Sequence, residues 1–304
     1  MYGLFQKYLH HVIGSTPKAN PMENSSSTRP PAVSGMFYPD SGHRIREILN
    51  DALEREKPGI DAIRFDGHIA GGVVPHAGLA YCAPQAVHFF EQHRRWGRPP
   101  DTVLIVHPNH GGQGPGLSVD GHRHWETPMG SLAVDIPFME SLGLPVSPRA
   151  QESEHSAEVI LPYLQYFFSF NYRILAVNIR DQDAATAIDL ANKIHRVSKH
   201  MNRKLLFIAS SDFSHFLSPE RAMERDSLVL QKILSRDTKG VHKVVTGEQI
   251  TVCGYGPIMA LMEYTRLLDP GYRVHVLRRG HSGEASPSDR VVSYVSLLFE
   301  FGSD

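Results

Sequence analysis

Three short apolar runs, His68–Pro75, Asp101–Val106 and Lys204–Ser210, each end in a polar loop that holds a histidine. That alternation narrows the architectures open to this chain. DTVLIV and KLLFIAS are too short and too rich in β-branched and aliphatic residues for helices, and read as buried strands. His68–Pro75 reads as a third, broken by Gly71-Gly72 and stopped by Pro75. Helical spacing appears between them: Arg44–Glu56 places Ile45, Ile48, Leu49, Ala52 and Leu53 on one face. Ala83–Arg94, Ala184–Met201, Met223–Ser235 and Gly256–Leu268 follow the same rule, and Ser156–Phe168 reads as a helix interrupted by Pro162. Tyr172–Val177, Tyr272–Leu277 and Val291–Phe299 read as further strands. Strands alternating with helices call for a mostly parallel or mixed sheet covered on both faces, an α/β fold in three layers. In such sheets ligands bind beyond the carboxyl ends of the strands. The three runs bring His76, then His107 and His110, then Asp212 and His215 to that edge.

The 304 residues allow one large core, and a single domain over 29–304 is expected. Residues 1–28 read as a flexible extension, because Pro21–Thr28 is rich in Ser and Asn and runs into Pro30-Pro31. Within that extension Tyr2–Ile13 has enough apolar residues for an amphipathic turn or two. Lys+Arg number 31 against 32 Asp+Glu, with no basic run, which argues against a nucleic-acid partner or an acidic membrane surface. No stretch approaches the roughly 20 apolar residues of a membrane span. Cys82 and Cys253 belong to no Cys-x-x-Cys pair, which excludes a structural zinc knuckle and points to a reducing, cytoplasmic setting. The unusual count is 18 histidines, several beside Gly, Pro, Asn and Ser, where loop chemistry is the natural explanation.

Five segments concentrate that chemistry. In Val73-Val74-Pro75-His76-Ala77-Gly78, Pro75 fixes the backbone ahead of His76 and Gly78 leaves room for a close approach. In His107-Pro108-Asn109-His110-Gly111-Gly112 a tight turn can present one or both imidazoles, the commonest metal ligand and proton carrier near neutral pH. Glu154-His155-Ser156-Ala157-Glu158 reads as acidic helix-start chemistry, or as His155 and Glu158 on one helix face, orienting a ligand histidine from behind. Ser210-Ser211-Asp212-Phe213-Ser214-His215 offers a general base with a carboxylate to hold its tautomer. Cys253, just before Gly254-Tyr255-Gly256-Pro257, sits where helix-start N–H groups lower a thiol pKa. A Ser-His-Asp hydrolase is the rival reading, but no Gly-x-Ser-x-Gly elbow occurs.

Taken in order, RPPAVSGMFYP from Arg29, VVPHAG, HPNHGG, EHSAEVILPYLQ, SSDFSH, TVCGYGPI and GHSGEASPSDRVVSYVSLLF resemble the Memo family, whose prokaryotic members are called system protein B of a radical-SAM-associated gene set. The resemblance covers about Arg29 to Phe299. It implies a fold similar to the class III extradiol dioxygenases, in which two histidines and a glutamate hold ferrous iron. His76 and His110 match the two ligand histidines, and Cys253 lies where the dioxygenases place their glutamate. His215 matches the acid/base histidine, with Asp212 beside it, while His107, His155 and Glu158 fall around the ligands. Exchanging carboxylate for thiolate softens the site, so Fe(II) is expected first, with Cu or Zn as competitors. This chain departs from its relatives at His107, where a small residue is common, and at Cys82, where serine is usual. The resemblance thus implies metal-dependent redox chemistry on a small-molecule or peptide ligand, and a functional association with a radical-SAM protein. The alternatives are a non-catalytic adaptor that reuses the cleft, and a hydrolase built on Asp212 and His215.

Overall fold

The apolar runs fold as strands, and the computed structural model, which describes residues 27–303, shows why each ends where it does. In chain order the first half comprises β1 (Thr28–Arg29), α1 (Gly42–Ala62), β2 (Gly67–Val74), α2 (Leu79–Trp96), β3 (Thr102–Pro108), β4 (Leu117–Val119), β5 (His124–Thr127), β6 (Gly130–Ala133), α3 (Ile136–Leu142) and α4 (Pro148–Gln151). The second comprises α5 (Leu161–Phe167), β7 (Arg173–Ile179), α6 (Ala184–His200), β8 (Leu205–Ser210), β9 (His215–Leu217), α7 (Pro219–Leu234), α8 (Thr238–Gly247), α9 (Tyr255–Leu268), β10 (Arg273–His281) and β11 (Val291–Ser303).

The large sheet runs β10-β11-β2-β8-β3-β7-β4, with β9 paired to β11, and β1-β5-β6 form a small second sheet. Its centre, β2-β8-β3-β7, is parallel, so all four strands point their carboxyl ends the same way. β11 joins β2, β10 joins β11 and β4 joins β7 in antiparallel fashion. Every residue of β3 is buried, as expected for a parallel strand covered on both faces.

Gly71 and Gly72 do not break β2. They let it be covered closely on both sides. Successive residues of a strand face opposite ways, and a Cβ on Gly72 would meet the Phe89 ring of α2 at 2.3 Å. On Gly71 it would meet Leu261 of α9 at 3.0 Å and the Phe207 carbonyl of β8 far closer. Thus α2 lies on one face and α9 on the other, giving the expected three-layer α/β/α sandwich. The small residues are a condition of that packing.

Boundaries differ from the sequence reading where local signals were misleading. Pro162 does not interrupt a helix; it sits in the first turn of α5, where its missing N–H costs no hydrogen bond. α1 continues through Pro58 to Ala62, and α2 begins at Leu79. β10 runs on to His281 across a bulge at Val276/Arg278, held by its pairing with β11. Ordered pairing reaches back to Thr28, whose strand aligns with His124. Residues 1–26, Tyr2–Ile13 included, lie outside the described residues. Among the described residues, no helix is long and apolar enough to cross a membrane.

One core histidine gives the fold a pH dependence. His93 is 1% exposed, and burial pushes its imidazole down to about 4. In the unfolded chain it takes a proton near pH ~6.5. A depressed pKa means that the unfolded state binds the extra proton as pH falls, so stability is full above ~6.5 and declines toward ~4. Urea denaturation should therefore show about 2–3 kcal/mol lost through this residue between pH ~7 and pH ~4. A His93→Phe variant should show a correspondingly flatter profile.

Candidate metal centre

The carboxyl ends of β2, β3 and β8 meet as the parallel sheet requires, and the loops that follow them bring His76, His110 and Asp212 together. His76 follows Pro75 at the end of β2, and its backbone N–H donates to Asp212 Oδ1 at 2.8 Å. Its ring Nδ1 lies 2.8 Å from Ser210 Oγ. The Ser210 hydroxyl donates its only proton to the Ser156 carbonyl at 2.6 Å, so Oγ must accept from His76 Nδ1–H. This leaves the Nε2 lone pair of His76 facing the cleft, 3.2 Å from Cys253 Sγ. Burial first, then the charges of His110 and His155, hold the His76 imidazole well below its ordinary pKa, so it stays neutral.

His110 is anchored by Glu154. One carboxylate oxygen accepts the His110 backbone N–H at 2.6 Å and the other lies 3.0 Å from His110 Nδ1. That second oxygen also accepts from the Ser156 N–H and hydroxyl, at 3.0 and 2.7 Å. Burial alone would raise the Glu154 pKa. The His110 hydrogen bond and the charges of His110, His107 and His155 outweigh it and hold the carboxyl far below the usual range. Burial conversely disfavours a charged His110, but Glu154 and Asp212 prevail and raise its pKa. With Nδ1–H committed to Glu154, Nε2 is again the free donor atom.

His155 completes the cluster. Its ring stacks on His110 with centroids 4.7 Å apart and stands edge-on to His76 at 5.5 Å. Its Nδ1 lies 3.6 Å from Glu154, and burial pushes its pKa down to about 4. One ligating nitrogen from each of His76, His110 and His155 falls within 4.8 Å of the others. Two bonds of about 2.1 Å to one ion span roughly 4 Å, so small ring rotations close the set. Neutral imidazoles are the form that binds metal, and burial favours that form at His76 and His155, while at His110 an incoming cation would displace the proton from Nε2. The donor set therefore fits a metal ion.

The other expected residues divide. Cys253 is close to the cluster, but its thiol pKa is not lowered: burial, then the Asp212 charge, pushes it well up. The helix-start N–H groups expected to lower it are spent elsewhere, Gly254 N–H on Ser211 Oγ and Gly256 N–H on Gln182 Oε1. Asp212 is 5% exposed, and burial raises its pKa. It does not hold the His215 tautomer, because His215 Nδ1–H donates to the Thr251 carbonyl at 2.8 Å. His107 turns away into the interior, with Nδ1 3.0 Å from Ser156 Oγ, and touches Glu154 only through that serine.

Glu158 does not orient a ligand histidine. It accepts from Arg29 at 2.5 Å, from Tyr38 OH at 2.6 Å and from the N–H groups of Ala32 and Val33, fastening the segment before α1. Glu154 does the work assigned to Glu158. Residues 152–157 form no helix, so spacing along a helix face did not apply. The overlooked signal is the Glu-x-Ser pattern, in which a short loop folds back on its own carboxylate. Cys82 is fully buried against the Ala77 carbonyl at 3.1 Å and Tyr163 OH at 3.7 Å.

Breaking the Arg29–Glu158 pair should be costly, since its side chains are 4% and 0% exposed. A Glu158→Ala variant should lose about 3–5 kcal/mol of stability in urea denaturation. At temperatures where it remains folded, its metal uptake should match that of the unaltered protein.

Comparison with known proteins shows the family to which the chain belongs. A family model described as Memo-like protein matches residues 29–298. A MEMO1 family protein of Saccharolobus solfataricus is 35% identical over 292 residues, covering 89% of this chain and 99% of its own. MEMO1 family proteins of Sulfolobus acidocaldarius and Metallosphaera sedula are 34% and 35% identical, each over 89% of this chain and 99% of their own.

Proposed function

This chain belongs to the Memo family, and from that premise we propose that it is a non-haem metal protein performing redox chemistry on a small-molecule or peptide substrate. The observation behind the reading is the convergence of His76, His110 and His155, with Cys253 Sγ 3.2 Å from His76 Nε2. Three imidazoles and one thiolate make a borderline-soft donor set, suited to Fe(II) first and to Cu or Zn as competitors. A bound ferrous or cuprous ion would supply a Lewis-acidic, one-electron centre.

The surrounding residues set what the protein itself contributes. Ser210 and Glu154 fix the His76 and His110 tautomers, as outer partners of metal-binding histidines do. His215 is held with Nδ1–H on Thr251, so Nε2 is the atom that takes or gives a proton. Asp212, kept in a dry setting with a raised pKa, is a second proton store beside it. A hydrolytic dyad of Asp212 and His215 gains no support, since Asp212 accepts from the His76 backbone instead.

Metal-free protein titrated with Fe(II) without oxygen should take up about one ion per chain. Glu154→Gln should weaken binding about 10–100-fold. Cys253→Ser should release one proton fewer on binding, because the neutral thiol must ionise to ligate. A His76→Ala/His110→Ala/His155→Ala triple variant that kept its iron would overturn the assignment.

A further inference from the structure

Three of the four parallel strands deliver His76, His110 and Asp212 to the carboxyl edge of the sheet. The fourth, β7, delivers Gln182, the residue just before the Asp183 cap of α6. Gln182 reaches across to the loop that carries Cys253. Its Nε2–H donates to the Cys253 carbonyl at 2.9 Å, and its Oε1 accepts the Gly256 N–H at 2.8 Å. A backbone carbonyl can only accept and a backbone N–H can only donate, so one orientation of the amide satisfies both.

The Cys253 carbonyl and the Gly254 N–H are the two ends of a single planar peptide unit. Gln182 holds its oxygen, and Ser211 Oγ accepts its N–H at 2.9 Å. On the other side of the residue, the Cys253 N–H donates to the Asp212 carbonyl at 3.3 Å. The peptide planes before and after Cys253 are thus both tied down, which restrains its two backbone dihedrals and leaves the sulfur only its χ1 rotation. In the rotamer adopted, Sγ accepts the Asp212 N–H at 3.2 Å and faces His76 Nε2 at the same distance.

The flanking glycines belong to the same arrangement. A Cβ on Gly254 would collide with the Ser210 carbonyl, and one on Gly256 would meet Gln182 Cγ at 2.9 Å. Gly254-Tyr255-Gly256 therefore serves the close approach of two strand-end loops to the cysteine.

We propose that Gln182 is a positioning residue for the metal centre: by pinning the Cys253–Gly254 peptide plane it aims Sγ at an ion held by the imidazoles. The inference rests on the reading of His76, His110, His155 and Cys253 as one donor set. Outer partners that orient a ligand commonly govern metal affinity as well.

The probe is Co(II) alone, added without oxygen to the full-length protein. A thiolate bound to Co(II) gives a charge-transfer absorption that imidazole does not, so the sulfur reports its own ligation. Unaltered protein should show this band and Cys253→Ser should lack it. Gln182→Met, which keeps the length of the side chain but makes neither hydrogen bond, should lose about half of the band or more and bind Co(II) about tenfold more weakly. Gly256→Ala should act in the same direction, because its methyl group displaces Gln182, although alanine otherwise suits a helical turn. Asp181→Asn, one residue from Gln182, should change neither readout.

A second arm needs no metal. In metal-free Gln182→Met the Gly254 and Gly256 amides should exchange with deuterium about tenfold faster, while the Val106 amide of β3 stays as protected as before. A full band in Gln182→Met, or unchanged exchange at both glycines, would overturn the proposal. Faster exchange at Val106 as well would mark a general loosening of the fold and overturn a specific role for Gln182. Absence of the band from the unaltered protein would instead overturn the donor set, and this proposal with it.

Discussion

A buried negative charge has to be answered, and the carboxylate of Glu154 is answered by almost everything that defines the cleft. It takes the His110 backbone and ring N–H groups and both donors of Ser156. Ser156 in turn receives the Ser210 hydroxyl at its carbonyl, and Ser210 orients His76. The tautomers of two imidazoles from two different strand ends therefore trace to one loop residue. In a low-dielectric setting such a chain of hydrogen bonds is strong when complete and costly when any member is missing. The cleft is organised as a unit, with its nitrogen lone pairs left pointing inward.

Much of this could be read in the sequence, for reasons that particular residues make plain. The parallel strands announced themselves because burial on both faces demands continuous apolar runs, as in DTVLIV and KLLFIA. His76, His110 and Asp212 followed, since what succeeds such strands must lie at their carboxyl edge. What escaped depends on tertiary detail. Glu154 and Glu158 are both acids in one motif, and periodicity assumed a helix there, which favoured Glu158. The loop instead sends Glu158 toward Arg29, more than a hundred residues earlier in the chain. The short elements β4 to β6, α3, α4 and α8 also went unread, being too brief to show a period.

Cys253 shows two physical effects in competition. A helix start offers N–H groups that favour a thiolate, and removal from water opposes one. Here Ser211 and Gln182 intercept those N–H groups, so desolvation decides and the thiol stays protonated. Sequence position alone could not resolve this, because the interceptors lie about forty and seventy residues away. The neutral thiol beside His76 Nε2 is a latent donor, available once a cation compensates its charge.

The glycine pair in β2 has a consequence beyond packing. α2 begins three residues after His76, and α9 begins two residues after Cys253. The helices pressed against Gly72 and Gly71 are therefore those whose first turns set the gap between imidazole and sulfur. Gly72 lies roughly 13 Å up the strand from His76, at about 3.3 Å per residue. The pair works as a shim of zero thickness: a methyl group at Gly72 would press α2 outward through Phe89, and one at Gly71 would strike the β8 backbone and then Leu261 of α9. The aperture of the cleft is thus calibrated several residues upstream, by atoms that are not present.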